Sequence, residues 1–280
     1  MGEFANRSIA TPSGRISYAE AGSGLVALFV HGVLLNKHLW RHQLAELSAI
    51  RRCIAVDLLA HGNTEIAPGQ DVSVTANAKM LRDMLDALHI DQVDLIGNDS
   101  GGGIAQIFAA LKPDRVRTLT LTNCDTHDNW PPEAFKPFVD MVSGGGLRDT
   151  LNVLLANKAV YRSQEALGPA YERPEKVTDE DIETYLRPFV RNDQRTLDLQ
   201  RFVTSFDNKH TVSIAPKLRL CALRHSSFGP RTTSIFRSSG RTGLPARYPA
   251  QSRLSSSRQR ACSFRRSGQG TSTGYSGITC

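Results

Sequence analysis

The sequence predicts an α/β protein built on a mostly parallel sheet with helices on both faces. Three observations carry that expectation. Short apolar, β-branched runs of strand length alternate with amphipathic runs of helix length. The connections between successive strand runs are too long for hairpins, so the strands are expected to be parallel with right-handed crossovers. Three of these runs also end in turns rich in glycine or histidine, at the strand ends where parallel sheets place their ligands. A chain of 280 residues accommodates one such domain with an insertion.

The elements follow in order. GRISYAEAG, Gly14 to Gly22, alternates loosely and reads as an exposed antiparallel edge strand. LVALFVHG (Leu25 to Gly32), CIAVDL (Cys53 to Leu58), VDLIG (Val93 to Gly97) and RTLTLTN (Arg117 to Asn123) read as buried strands. Between them, VTANAKMLRDMLDALHI places Ala78, Leu81, Leu85 and Leu88 on one helical stripe. GGIAQIFAALKP is apolar from Ile104 to Leu111 and stops at Pro113. After Asn123 the pattern changes. A loop carrying Pro131 and Pro132 leads into segments from Phe135 to Asp207 that read as helical, such as DEDIETYLRPFV and DQRTLDLQRFVTSF. The expected organisation is a core over 1–125, a helical cap over 126–213 and a Ser/Arg-rich tail over 214–280.

HGVLLNKHLW, DLLAHGNTE and GNDSGGG close three successive strands, and this ordered trio resembles the α/β-hydrolase superfamily. The likeness runs from about Arg15 to Pro216. It implies that the glycine-rich turn is a nucleophile elbow, in which small residues stand two before and two after the attacking group. Centring on Asp99 puts Gly97 and Gly101 there; centring on Ser100 puts Asn98 and Gly102 there, half a match. Asp99 is therefore the expected nucleophile and Ser100 the alternative. Within the superfamily, haloalkane dehalogenases and epoxide hydrolases attack sp³ carbon with an aspartate, and they commonly carry Trp after it, where this chain has Ser100. The resemblance further implies an oxyanion hole from the amides of Ser100 and of Val33 or Leu34. Trp40 is a candidate for lining the substrate pocket. His31 and His61 read as loop braces. Asp125 is a candidate for the acid of a triad, with Asp128 and His127 in the same loop. Tyr161, Tyr171 and Tyr185 are open candidates for lid tyrosines. The expected function is covalent hydrolysis of a small apolar organic substrate. The alternatives are an esterase or lactonase using Ser100, and a ligand binder without catalysis.

The net charge of +7 is located in the tail. Ten arginines and no Asp, Glu or Lys lie between Ala222 and Cys280, so the first 221 residues hold 24 basic against 27 acidic side chains, a net −3. Nucleic acid is accordingly not an expected partner. Five scattered cysteines suggest neither a disulfide framework nor a metal site, and a G-x-G-x-x-G fingerprint is missing at the elbow, so no cofactor is expected. Met1 to Ser23 lacks the apolar region of a signal peptide and no apolar stretch reaches membrane-spanning length, so a cytoplasmic location is expected.

The strand, acid and histidine that the resemblance calls for after Leu220 are replaced by Ser- and Arg-rich sequence. A one-base slip in the coding frame between Arg219 and Leu223 is expected to account for this. Regrouping the bases turns serine codons into apolar ones, so that His225 to Arg237 can decode to an apolar strand with an acidic turn. No histidine appears in the regrouped final stretch either, which leaves the general base unassigned. Resequencing the gene across those codons should reveal the slip; an uninterrupted frame in related genes would rule it out.

Overall fold

The computed structural model describes residues 4–220 and 224–228. Seven strands form one sheet: β1 (Ala5–Thr11), β2 (Gly14–Ala21), β3 (Val26–Val30), β4 (Arg52–Val56), β5 (Val93–Asp99), β6 (Val116–Cys124) and β7 (Arg224–Phe228), in the spatial order β1-β2-β4-β3-β5-β6-β7. β1 and β2, and β2 and β4, pair antiparallel; all other neighbours are parallel. Every residue of β3 is buried, as expected of a central parallel strand covered on both faces.

One sheet face packs Ile16, Leu28, Val30, Ile54, Val56 and Leu95 against helices α2 (Val74–Ala87) and α3 (Ser100–Leu111), flanking partners that follow β4 and β5. The other face packs Ala27, Phe29, Cys53 and Ala55 beneath α1 (Arg41–Leu47). α2 starts at Ser73, whose side chain accepts from the Ala76 amide and caps the first turn. Its apolar stripe includes Ala78, Leu81 and Leu85, all buried. α3 is buried from Ser100 to Ala110, and only Leu111 at its end is exposed.

Two expectations need correction here. GRISYAEAG is not an edge. β1 lies outside it, and Ile16 to Ala19 of β2 are buried between β1 and β4. β1 itself is mostly exposed, so it carries no burial alternation by which a sequence reading could find it. The absence of all strands after Leu220 is also not what the backbone shows: β7 runs parallel to β6, from the Thr118↔Arg224 pair to the Thr122↔Phe228 pair.

Between β6 and β7 the described residues form helices and turns: α4 (Lys136–Ser143), α5 (Leu147–Ala156), α6 (Lys158–Arg162), α7 (Asp179–Leu186), α8 (Asp193–Val203) and α9 (Lys209–Leu220). The boundary expected at 213/214 falls inside α9, which packs against α3 and so joins the sheet layers. Residues 229–280, most of the Ser/Arg-rich stretch, lie outside the described residues.

The helical segment is tied to the loop after β4 by arginines. Arg195 donates to the carbonyls of Thr64 (2.7 Å) and Gly62, Arg191 to Asn63 Oδ1 (2.9 Å), and Arg201 to the Gln70 carbonyl (2.6 Å). The His61 ring sits edge-on to Phe189 and Phe202, with centroids at 5.3 and 4.8 Å. Helix α8 and the turn before it thus cover the loop that follows β4.

Candidate active site

The site is built where β3 and β5 end side by side. At Asp99 the chain turns from strand to helix with φ 54° and ψ −133°. This backbone is strained for a non-glycine residue, and it persists because the surrounding structure holds it. The strand and helix approach so closely that side chains beside the turn are excluded. A Cβ on Gly101 would run into the carbonyl oxygens of His31 and, at 2.7 Å, Val30; one on Gly97 would lie 2.6 Å from the Gly102 Cα. The spacing read from the sequence therefore corresponds to real steric limits, and the turn centres on Asp99.

The Asp99 carboxyl accepts hydrogen bonds from the Val33 amide (Oδ2, 3.0 Å) and the Ser100 amide. Of the two oxyanion candidates in the first loop, Val33 is the donor; Leu34, with φ 58°, belongs to the same turn, but its amide does not bond to Asp99. Gly32 is required beneath the carboxyl, because any Cβ there would overlap Asp99 Oδ2. The residue keeps partial exposure. Burial raises its pKa to about 7, against the pull of the Ser100 and Val33 amides.

Ser100 occupies the first helical position instead. It is fully buried and its Oγ has no hydrogen-bond partner among the described residues. Replacing it by Ala should leave stability unchanged or slightly improved, since an unsatisfied buried hydroxyl is removed. Denaturant unfolding of Ser100→Ala checks this.

Asp125 lies next to the site because β5 and β6 are parallel and Asp99 faces Cys124 across them. It is 2% exposed, and its Oδ1 has no hydrogen-bond partner among the described residues. Burial, then the charge of Asp99, pushes its pKa well up. The Cys124 thiol is likewise pushed up by burial, then by Asp125 and Asp99. Gln106 fixes the loop: its Nε2 donates to the Asp125 carbonyl (2.8 Å) and the Gly102 carbonyl (3.1 Å). That residue was missed from sequence, although a lone Gln inside the apolar run IAQIF is a readable signal. His127 and Asp128 sit at the tip of the same loop, with Nδ1 and Oδ1 3.4 Å apart. Among the described residues, no histidine is hydrogen-bonded to Asp99 or Asp125.

His31 is a brace, as its sequence context suggests. Its Nδ1 donates to the Gly32 carbonyl (2.8 Å), and its Nε2 accepts from the Leu58 amide (3.1 Å), which sets the tautomer. Burial lowers its pKa to about 4, so it stays neutral. His61 donates from Nδ1 to the Leu59 carbonyl (2.9 Å). Lys37, also missed, joins the first and second loops. Its Nζ is 2.7 Å from Asp57 Oδ2, and Asp57 is completely buried. Lys37→Met should cost about 3–5 kcal/mol, because it strands a buried carboxylate; the midpoint of urea unfolding measures it.

Trp40 is a correction. Its ring packs on Phe29 (centroids 5.2 Å) under α1, within the cluster that also holds Leu44 and Cys53. It fills the opposite face of the sheet and does not line the Asp99 site. Tyr161 and Tyr171 bond to each other through their hydroxyls (2.7 Å), while Tyr185 accepts from Arg41 (3.3 Å); none bonds to Asp99. Two cavities, of about 600 and 430 Å³, lie beside Leu85, His89, Asp114 and Arg115 and beside Asn129, Trp130 and Phe206; Asp99 lines neither. The described residues include no cluster suited to a metal ion. No described helix is long and apolar enough to cross a membrane.

The sequence profile of the α/β hydrolase fold matches residues 27–161, from β3 through the elbow into the helical segment. Just under half of the chain thus carries the sequence pattern of the α/β hydrolase fold, and the sheet described above has that fold. Among similar proteins, an epoxide hydrolase 2 of Siraitia grosvenorii is 40% identical over 122 residues, covering 42% of this chain and 38% of the relative. A haloalkane dehalogenase of Mesorhizobium japonicum is 38% identical over 105 residues, covering 37% and 34%. The matches thus span under two-fifths of these α/β hydrolases. The crystal structure of the epoxide hydrolase CorEH without ligand superposes with a TM-score of 0.63 at 18% identity, covering 81% of this chain and 90% of that one.

Proposed function

We propose that this chain is a hydrolase that attacks a small, apolar organic substrate with Asp99, forming an ester that water then cleaves. The observation that carries the reading is the elbow: the carboxyl of a half-buried residue at a strained strand-to-helix turn, with two backbone amides donating to it. Those amides form an oxyanion hole for the tetrahedral intermediate when water attacks the ester. The helices over 126–213 serve as the cap, tied to the core through Arg191, Arg195 and Arg201. Likeness to an epoxide hydrolase and a haloalkane dehalogenase supports displacement at sp³ carbon. The Ser100 alternative is disfavoured by the burial of its hydroxyl. A second reading, binding without turnover, draws on the lack of a histidine bonded to either carboxyl among the described residues.

The test is covalent trapping. The full chain is mixed with epoxides, haloalkanes and esters, quenched in acid, and examined by intact and peptide mass spectrometry. An adduct on the peptide containing Asp99, absent from Asp99→Asn and present in Ser100→Ala, is the expected result. Turnover that survives Asp99→Asn and is lost in Ser100→Ala would move the nucleophile one residue on; binding with neither adduct nor turnover would favour the second reading.

A further inference from the structure

We infer that Asp125 is the proton-transfer partner of Asp99, holding a proton while Asp99 is a carboxylate and exchanging it with the substrate oxygen and with water as the ester forms and breaks. The inference rests on the Asp99 reading and supplies what that reading lacks, a group to do the work expected of a histidine. Three features of the geometry support it. The β5–β6 register sets Asp125 immediately after the residue that faces Asp99, and Gln106 pins its backbone there. Its Oδ1 is buried without a partner among the described residues, which is costly for a group with no role and useful for one that must give up and regain a proton. Asp99 is also the one charge that acts on it; the other titratable group beside the pair is the Cys124 thiol, and none acts from the remaining described elements.

The charge of Asp99 acts on Asp125, and neighbouring carboxyls disfavour double ionisation, so the pair shares one proton. Before reaction the pair carries one proton and one negative charge. With an epoxide, an Asp99 oxygen forms a bond to ring carbon and the C–O bond breaks. Its electron pair stays on oxygen, which takes the Asp125 proton. Asp99 is now a neutral ester, so the charge that raised the pKa of Asp125 is gone, and Asp125 remains as a carboxylate able to act as base. It takes a proton from the water attacking Asp99 Cγ. Collapse breaks the acyl C–O bond, and the departing alkoxide takes the proton of the regenerated Asp99 carboxyl. The pair ends with one proton and one charge, as it began. Residues that switch from acid to base in this way are established for two-carboxylate chemistry. The consequence is a substrate preference: oxygen leaving groups, which need a proton, over halides, which do not.

The experiment compares styrene oxide with bromobutane in rapid-quench mass spectrometry of the Asp99 adduct. In Asp125→Asn, ester formation from styrene oxide should slow about 10²-fold or more, the usual worth of a general acid. Ester formation from bromobutane should stay within about threefold, and that ester should persist because the base is missing. Asp125→Glu should recover part of both steps. In carbonyl-labelled protein followed by ¹³C NMR, Asp125 should titrate lower in Asp99→Asn than in the parent chain, a readout independent of turnover and of the folding of Asp125 variants. Adducts that form and decay normally in Asp125→Asn, or an Asp125 titration indifferent to Asp99, would overturn the inference alone. No Asp99 adduct from either electrophile would overturn the nucleophile as well.

Discussion

Asp99→Asn is expected to lower kcat/KM by about 10⁴-fold or more, the scale at which loss of a covalent nucleophile is felt. Asn accepts a positive φ better than most residues, so the elbow should keep its shape. The amide cannot attack carbon, whereas the Val33 and Ser100 amides remain to bind whatever carbonyl is presented. The carboxylate form is the reactive one. With the pKa raised to about 7, the parent chain should alkylate about tenfold more slowly for each pH unit below 7 and level off above it. Stability should move the other way. A carboxyl whose folded pKa is raised stabilises the fold fully below its unfolded value, and that contribution is lost as pH rises through about 7. Asp99→Asn removes the dependence, so its stability advantage over the parent should grow between pH 5 and pH 8. Chemical denaturation at several pH values measures the difference; a constant gap would mean that the carboxyl is not held in the environment described.

Gly101→Val is expected to abolish the folded state. The first atom added meets the carbonyl oxygens of His31 and Val30, which are backbone at the end of the central strand and cannot rotate aside. β-branching adds two further methyl groups at the same point. Overpacking of well-packed cores costs about 1–3 kcal/mol even where side chains can yield, and here β3 would have to part from α3. Against a total stability of about 5–15 kcal/mol, that separation removes most of the margin. The near-ultraviolet circular dichroism should lose its signal and the thermal transition should vanish. A melting temperature within about 4 °C of the parent chain would show that the elbow is looser than its contacts imply.

Much of this site could be read along the chain, because its strongest constraints are local. Gly97 and Gly101 mark the elbow since the clash they avoid is set by the turn itself, and His31 marks its loop for the same reason. β3 and β4 announce themselves because both their faces are covered, leaving apolar runs, whereas β6, read as buried, is half-buried and alternates Thr with Leu. What depends on register between strands is not visible in this way. Asp125 was a plausible acid by position, but its place beside Asp99 follows from the pairing of β5 with β6. Trp40 is a pocket candidate by sequence, but a 3-10 turn over Lys37–Trp40 carries it into the cluster with Phe29 and Leu44. β7 is spelled RHSSF, with no apolar alternation, so nothing in its letters distinguishes it from the tail that follows.

The burial of α3 on all sides has a consequence for how this protein opens. Every residue from Ser100 to Ala110 is buried, and the helix touches α2, α9, β5 and β6 together. Its backbone hydrogens should therefore exchange with deuterium only when the entire domain comes apart, at the slowest rate in the molecule. Asp99, the proposed nucleophile, is then mounted on the last element to let go, and in that proposal any motion that admits substrate has to come from the helices over 126–213.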